Sequence, residues 1–306
     1  MNRPDAGDHP NRASAVIVNY NAGRGLVELV GSLISDAYID RVIVVDNGSV
    51  DGSADLVAES YADEARLRLI RNSLNRGFAA ANNQGAAAVQ AKYLLFVNPD
   101  TVMETAMLHK LCLIMDERPE IGVLGILIRN PDGSEQRGCR RYLPDPRRSL
   151  MHALGLGGPD QAGGTAGFNL TGTPLPSGPV EIEGISGAFM LVRRQALTEV
   201  GDWDEGYFLH CEDLDLCMRL KQAGWKILFV PDESVIHMQG VSSRGRPLFV
   251  LWHKHLGMWR YFTKFHRRQN PWWLSMLVWS GIWARFLLSI PSAMLRLAMR
   301  DGESQA

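Results

Sequence analysis

The chain has 306 residues, 46% of them hydrophobic, which is enough for one large domain or two small ones with a sizeable core. Its formal net charge of −1 argues against a general polyanion binder, so we expect no nucleic-acid partner. The polar segment 1–12 lacks the apolar core of a signal peptide, which predicts a disordered N-terminus and a cytoplasmic domain after it. The four cysteines contain no CxxC pair and indicate buried thiols in a reducing compartment.

Apolar segments of strand length alternate with helix-length segments through the first part of the chain. Strands are predicted at 14–20, 41–46, 67–71, 92–97 and 121–129, and helices at 25–35, 53–61, 77–90 and 104–117. This alternation is typical of βαβ crossovers. It predicts an α/β fold with a mostly parallel, Rossmann-like sheet and helices on both faces.

The second part of the chain is less regular. Residues 143–179 are rich in Gly and Pro, which predicts a long loop or lid. Strands are predicted again at 183–192 and 226–230, and helices at 194–200, 212–223 and 248–265.

The C-terminal segment 248–306 is predicted to be helical and associated with a membrane. From Trp272 to Met299 it is mostly apolar and contains four tryptophans, which suits a membrane interface. Arg285 and Pro291 argue against a simple membrane span and favour an interfacial or re-entrant helix. The alternative is an apolar helix that docks on the domain or on a second subunit, which would form a homodimer.

Polar residues follow the predicted strands at the edge where open α/β sheets bind ligands. They are Asn19, Tyr20 and Asn21, then Asp46, the segment 72–77, and Asn98 with Asp100. Neither GxGxxG nor GxxxxGK[ST] occurs, which argues against dinucleotide and P-loop binding. Asp46 is placed to accept a hydrogen bond from a base imide, and Arg76 with Gly77 suits an anion or a polar base edge.

Asp100 has two interpretations. Thr101 and Glu104 match a T-x-x-E capping box, which predicts the start of a helix but explains Thr101 better than Asp100. Mg²⁺ is usually held by one or two carboxylates together with substrate phosphates, so Asp100 is also a candidate metal ligand.

Asp213 is the strongest candidate for a catalytic base. It lies on the apolar face of its predicted helix, where a carboxylate is costly unless it is paired or functional, and burial would raise its pKa. Asp215 is instead expected to pair with Arg219 at i, i+4. Glu212 either stabilises the helix macrodipole, orients Asp213 or contacts an acceptor.

His237 closes a predicted strand and is followed by a basic loop. A single histidine near an apolar run is more often structural than a ligand, and both interpretations stay open. Arg244 and Arg246 either neutralise a diphosphate on loop closure or belong to a solvated turn.

Six motifs in order resemble the inverting family 2 glycosyltransferases of GT-A fold, and within them the rhamnosyltransferase-type members. They are VIVNYN, VDNGS, NRGFAAANNQG, NPD, GAFMLVRR and GDWDEGYFLHCEDLDLCMRL, spread over 14–243. The resemblance implies one GT-A domain over 13–247, with a nucleotide half at 13–130 and an acceptor half at 131–247.

The resemblance also implies site roles. The nucleotide would contact Asn19, Tyr20, Asn21, Asp46, Asn75, Arg76, Gly77 and Asn98. Asp100 would be the remaining carboxylate of the D-x-D motif that holds Mg²⁺ or Mn²⁺, with His237 as a candidate second ligand. Because Asn98 replaces the first acid, metal affinity would depend on the nucleotide. Asp213 would be the base of the E-D motif, next to Glu212. The acceptor or diphosphate side would include Gly187, Ala188, Phe189, Trp203, Arg244 and Arg246.

The implied reaction is a single displacement that inverts the anomeric carbon. The donor would be a dTDP- or UDP-sugar such as dTDP-rhamnose, and the acceptor a glycan or a lipid-linked glycan at the inner face of the cell membrane. A sugar nucleotidyltransferase is one alternative, but Gly23-Arg24-Gly25 is a poor triphosphate loop. The other is a catalytically silent, membrane-anchored assembly module, which intact Asp100 and Asp213 argue against.

Overall fold

The computed structural model describes residues 12–104, 106–146, 168–238 and 246–303. Arg244, most of the predicted N-terminal segment 1–12 and much of the predicted 143–179 loop lie outside these ranges.

The strands and helices largely follow the predicted alternation. The strands are β1 (Ala13–Asn19), β2 (Ile39–Asp46), β3 (Leu67–Arg71), β4 (Tyr93–Val97), β5 (Thr101–Val102), β6 (Ile121–Arg129), β7 (Arg140–Arg141), β8 (Val180–Glu181), β9 (Gly184–Ile185), β10 (Phe189–Arg193) and β11 (Lys226–His237). The helices are α1 (Gly25–Ser35), α2 (Ser53–Ser60), α3 (Phe78–Ala87), α4 (Met107–Glu117), α5 (Arg194–Val200), α6 (Glu212–Gln222), α7 (Pro247–Phe265) and α8 (Trp272–Glu303).

In the described residues, the central sheet has nine strands, eight of them in the order β3-β2-β1-β4-β10-β6-β11-β5, while β8 pairs with β11. β1, β2, β3 and β4 are parallel, and β6 and β11 run in the same direction, whereas β10 is antiparallel to both of its neighbours. The predicted mostly parallel sheet is confirmed. The carboxyl ends of β1, β2, β4 and β11 therefore meet at one edge, together with the start of β10.

Helices cover both faces of the sheet, as predicted. In β1, Ala15 and Ile17 point to the core under α1 and α4, whereas Val16 and Val18 point to the core under α3. This alternation with period two is the pattern of a strand buried on both faces. Gly85 in α3 permits a close approach, since a Cβ there would lie 2.4 Å from Val16 Cγ1.

The capping-box prediction at Thr101 is wrong. Thr101 and Val102 form β5 and pair with the end of β11, and α4 begins only at Met107. The buried Thr101 hydroxyl has no hydrogen-bond partner among the described residues, so it caps nothing. Long-range strand pairing therefore overrides the local signal and brings the end of β11 alongside Asp100.

The predicted strand 183–192 is interrupted. Its first part, β9, pairs with β7 in a separate two-stranded sheet, while β10 inserts between β4 and β6. Residues 186–188 connect the two and lie at the same sheet edge as the strand ends described above. The predicted strand 226–230 continues to His237 through a register irregularity between Val230 and Ser234.

The C-terminal helices differ in burial. α7 packs on the domain through Tyr261, Phe262 and Phe265, all nearly buried. α8 packs on α7 and leaves most of its apolar surface exposed. Within the described residues, α8 supplies the one stretch that is long and apolar enough to cross a membrane, Trp272–Leu295. The predicted C-terminal apolar helix is confirmed.

Candidate active site

The ends of β1 and β2 form a polar corner centred on Asp46. Asn19 is fully buried and donates from Nδ2 to Asp46 Oδ1 at 2.9 Å and to the hydroxyls of Ser53 and Ser49 at 2.9 and 3.1 Å. The side-chain amide of Asn19 already donates to these three groups and is inaccessible to solvent. Asn19 can therefore position Asp46 but cannot itself contact a base. Asp46 keeps 5% of its surface exposed at the strand tip.

The residues after β1 adopt a fixed turn beside this corner. Asn21 has φ of 53°, a left-handed conformation that asparagine tolerates. Its Oδ1 accepts a hydrogen bond from Val50 N at 2.8 Å, which joins the β1 and β2 loops. Tyr20 is half-buried and lies beside this turn.

Asn47 organises the third loop of the corner, and the sequence analysis missed it. Its Nδ2 donates to Asn75 Oδ1 at 2.9 Å and to Gly77 O at 3.2 Å, while its Oδ1 accepts from Arg76 N at 3.0 Å. The Arg76 side chain is exposed and has no ion pair within the described part of the chain. It is therefore available to an anion. The signal for Asn47 was its position directly after Asp46 in an Asp-Asn-Gly turn.

Gly77 lies where the loop 72–77 contacts the segment before α6, and both its backbone conformation and the short contact there require glycine. It has φ of 88°, and a Cβ would lie 3.0 Å from Phe208 O. Phe78 N donates to Phe208 O at 2.9 Å. The loop 72–77 is thus joined to the segment that leads into Asp213.

A second corner contains Asn98, Asp100 and His237. His237 Nε2 lies 3.0 Å from Asp100 Oδ1 and 3.2 Å from Asn98 Nδ2. On its other side, His237 Nδ1 lies 2.6 Å from Gln136 Oε1. If Nδ1 carries the proton and donates it to Gln136, the lone pair of Nε2 faces the Asp100 carboxylate. Gln136, which the sequence analysis missed, therefore orients the ring.

A divalent cation of the kind the resemblance implies fits this corner. Two octahedral ligands about 2.1 Å from an ion lie about 3 Å apart, which matches the separation of Asp100 Oδ1 and His237 Nε2. The buried Asn98 Oδ1 has no hydrogen-bond partner among the described residues and adds a spare acceptor. The described residues contain no group of three or more His, Cys, Asp or Glu that could hold a metal ion. A cation here would therefore need ligands from a substrate.

Asp213 begins α6 beside Gly187 and Arg141. Its Oδ2 forms an ion pair with Arg141 and accepts from Gly187 N at 3.1 Å, and its Oδ1 accepts from Leu214 N at 2.8 Å. Asp213 is therefore paired, which is one of the two conditions under which a carboxylate on an apolar face is tolerated. Arg141 was missed because it lies 72 residues away in sequence.

The two candidate acids share one edge of the sheet. Asn98 N donates to Ala188 O at 3.0 Å, and the adjacent Gly187 N donates to Asp213. The loop that carries Asp100 and the carboxylate of Asp213 are thus connected through a single dipeptide. A Cβ on Gly187 would lie 3.3 Å from Asp213 Cβ, so glycine permits this contact.

Glu212 is a buried acid directly before Asp213. Burial, and secondly the charge of Asp213, raise the pKa of Glu212 to about 8. Its Oε2 has no hydrogen-bond partner among the described residues. At neutral pH Glu212 is mainly protonated, so it does not stabilise the helix macrodipole as a charged residue. Asp215 pairs with Arg219 at 2.5 Å, as predicted.

Glu212 should make stability depend on pH. The unfolded chain ionises it near 4.5, whereas the folded protein keeps its proton up to about 8, so stability falls as pH rises between these values. Glu212→Gln removes this pH-dependent contribution to the free energy of unfolding. We expect its Tm, relative to wild type, to rise by on the order of 5 °C between about pH 5 and pH 8 in thermal unfolding. Exposed Glu117→Gln is the control. If the Tm difference between Glu212→Gln and wild type does not change with pH, Glu212 is ionised in the folded protein.

Three predicted acceptor residues lie in the core instead. Phe189 is fully buried, Ala188 is 2% exposed, and Trp203 is 2% exposed and packs edge-on against Phe78 and Phe96. They cannot line an acceptor surface, because the alternation of β10 and the aromatic cluster direct them inward. Arg246 is exposed at the start of α7, and Arg244 lies outside the described residues.

The turn before α6 is strained. His210 and Cys211 both have left-handed backbones, with φ of 69° and 72°. Such residues cost about 1–3 kcal/mol each and persist where the surrounding structure holds them. Here α7 packs directly against the turn and holds it in place. Gly257 of α7 is so close to it that a Cβ at this position would lie only 2.7 Å from His210 O.

Comparison with known proteins places the chain among sugar-transferring enzymes. A family model described as "Glycosyl transferase family 2" matches residues 14–172, and one described as "Glycosyl transferase family group 2" matches residues 168–299. The N-acetylglucosaminyl-diphospho-decaprenol L-rhamnosyltransferase of Mycobacterium tuberculosis is 30% identical over 278 residues, which cover 87% of each chain. Rhamnosyltransferase WbbL of Escherichia coli K12 is 28% identical over 72% of this chain and 81% of that protein.

Solved structures share the fold. The crystal structure of GalNAc-T7 with UDP, GalNAc and Mn²⁺ superposes with a TM-score of 0.56 and 17% identity, covering 75% of this chain and 44% of that one. The structure of Staphylococcus aureus TarS 1–349 with UDP-GlcNAc gives a TM-score of 0.55 and 16% identity, covering 94% and 83%. At these identities the likeness shows the fold.

Proposed function

The chain belongs to glycosyltransferase family 2, and we propose that it transfers a sugar to a hydroxyl of a lipid-linked glycan acceptor, with inversion at the anomeric carbon. The donor in this proposal is a dTDP- or UDP-linked deoxyhexose such as rhamnose, because two relatives are rhamnosyltransferases by name. The lipid-linked acceptor follows from the name of the mycobacterial relative. Family membership argues against the nucleotidyltransferase and silent-module alternatives.

One observation carries the proposal: Asp213 and the Asp100 corner meet through Gly187 and Ala188 at the edge where the strands β1, β2 and β4 end. A nucleotide sugar held at the Asp46 and Asp100 corners would present its anomeric carbon toward Asp213. The domain halves 13–130 and 131–247 then correspond to donor and acceptor sides.

Asp213 acts as the general base in this proposal. A base must be ionised to take the proton of the attacking hydroxyl, and the Arg141 guanidinium and two backbone N–H groups surround its charge with donors. Those contacts also fix the orientation of the carboxylate. Protonated Glu212 adds no second negative charge beside it.

The Asp100 corner binds the donor diphosphate together with Mg²⁺ or Mn²⁺. Asp100 and His237 would hold the ion, Gln136 orients the imidazole, and Asn98 supplies a nearby acceptor. The bound cation would offset the charge that develops on the leaving diphosphate. Arg76 is placed to contact the nucleotide from the other corner.

α8 attaches the enzyme to the cytoplasmic surface of a membrane in this proposal. Only 6% of the Trp272–Leu295 window is buried, and large apolar side chains such as Trp272, Leu287 and Leu288 are exposed. Exposed Arg267 and Arg268 precede the helix and suit anionic headgroups. An exposed apolar surface of this kind indicates an interaction site.

Vesicle binding tests this attachment. Leu287→Glu and Leu288→Glu place charges on the exposed face of α8, so we expect at least about a tenfold loss of co-sedimentation with anionic phospholipid vesicles. Val50→Glu, at a 91% exposed position on the domain, is the matched control. If the variants keep binding to vesicles but lose a dimer in light scattering, the face pairs with a second copy and the membrane proposal fails.

A transfer assay tests the function as a whole. Purified protein is incubated with Mn²⁺, a detergent-solubilised N-acetylglucosaminyl diphospholipid, and dTDP-rhamnose or a series of UDP-sugars. We expect one donor to be consumed with formation of an inverted glycoside, read from the anomeric NMR coupling. Absence of transfer, of donor hydrolysis and of thermal stabilisation by every donor would overturn the proposal.

A further inference from the structure

A group of cations lies beside the proposed base without carboxylate partners. α7 crosses the strained turn before Asp213, where Gly257 fits against His210 O. Lys254 is three residues before Gly257 and therefore lies on the same face of α7, toward that turn. The rings of Phe208 and His253, with centroids 4.6 Å apart, fix α7 against this segment.

α8 adds Arg285 to the same region. Trp252 of α7 stacks with Trp283 and Phe286 of α8 at centroid distances of 5.1 and 5.5 Å. Arg285 directly precedes Phe286 in α8 and is exposed to solvent. It belongs to the helix whose apolar surface is otherwise exposed.

The charges in this region are close enough to affect one another. Desolvation first, and then the positive charges of Arg285, Arg137 and Arg141, lower the pKa of Lys254. Lys254 is solvent-accessible. Arg141 is paired with Asp213, whereas Lys254, Arg285 and Arg137 form no ion pair within the described ranges. Clustered like charges destabilise a fold, and a bound anion would compensate them.

We propose that Lys254 and Arg285 bind the diphosphate of a lipid-linked acceptor and so place its terminal sugar against Asp213. The inference rests on the proposed function and names the residues of its acceptor side. The donor nucleotide also carries a diphosphate, but the Asp100 corner is available for it. Arg285 instead lies on α8, three residues before exposed Leu288, which could contact the hydrocarbon chain.

The test compares two acceptors with the same sugar. One is N-acetylglucosamine linked by a diphosphate to a short isoprenoid chain, and the other is a decyl N-acetylglucosaminide without phosphate. For Lys254→Gln and Arg285→Gln we expect the acceptor KM to rise roughly tenfold each with the diphosphate acceptor. With the phosphate-free acceptor it should change by less than about twofold, and the donor KM should not change.

Two controls accompany the test. Lys254→Arg keeps the charge and should retain most of the wild-type KM. Exposed Arg118→Gln, before the start of β6, should have no effect on either acceptor.

Other outcomes overturn the inference. A rise in donor KM would assign the cations to the nucleotide, and equal losses with both acceptors would indicate a structural role. If the wild type transfers to the decyl glycoside but the substitutions leave the diphosphate KM unchanged, the subsite fails and the proposed function stands. If the wild type transfers to neither acceptor with any donor, the proposed function fails and the subsite with it.

Discussion

Asp213→Asn should lower kcat by about 10²–10⁴-fold while the donor KM stays within a few-fold of wild type, because an amide cannot accept the proton of the attacking hydroxyl. Asparagine has the same shape and keeps one acceptor oxygen for either Gly187 N or Leu214 N, which donate to different oxygens of Asp213, so the fold around the site should persist. Steady-state transfer kinetics with a nucleotide sugar measure this effect.

Two comparisons make the result specific. Asp63→Asn removes an exposed carboxylate that follows α2 and should leave kcat unchanged. Arg141→Gln removes the cation beside Asp213 and should lower kcat less than Asp213→Asn does, since the base itself remains. Equal kcat in wild type and Asp213→Asn would exclude Asp213 as the base.

Asp100→Asn should weaken metal-supported donor binding at least about 100-fold, because it removes the carboxylate that faces His237 Nε2. The measurement is activity as a function of Mn²⁺ concentration, together with the thermal shift produced by donor with and without Mn²⁺. Gln136→Ala removes the hydrogen bond that orients the His237 imidazole but leaves both proposed metal ligands in place. The expected loss in metal affinity is therefore about 10–100-fold.

Thr101→Val is the matched control for Asp100. The buried Thr101 hydroxyl has no hydrogen-bond partner among the described residues, so a methyl group of similar shape should be neutral or stabilising. Metal dependence should be retained. If Asp100→Asn shows the same metal dependence as wild type, the contact between Asp100 and His237 is structural and the proposed metal site is wrong.

Local patterns in the chain were sufficient for the fold class. Apolar segments of strand length and intervening helical segments predicted β1 to β4 and α1 to α3 closely, because β1, β2 and β4 are largely buried and helices cover the faces of the sheet. The same patterns predicted that polar residues at successive strand ends would meet at one edge. The pairing of Asp215 with Arg219 was also predictable, since it depends on four residues of helix.

By itself, then, the sequence determined the fold class and the edge at which the polar strand ends meet, and it predicted Asp100 and Asp213 as candidate acids. Tertiary structure decided which groups meet these acids: Arg141 and Gly187 at Asp213, Gln136 and His237 at the Asp100 corner. It also replaced the capping box at Thr101 by strand pairing and moved Phe189 and Trp203 into the core. The reason is that periodicity and capping report interactions within a few residues, whereas these contacts join segments from separate strands and helices, whose proximity depends on the order and register of the whole sheet.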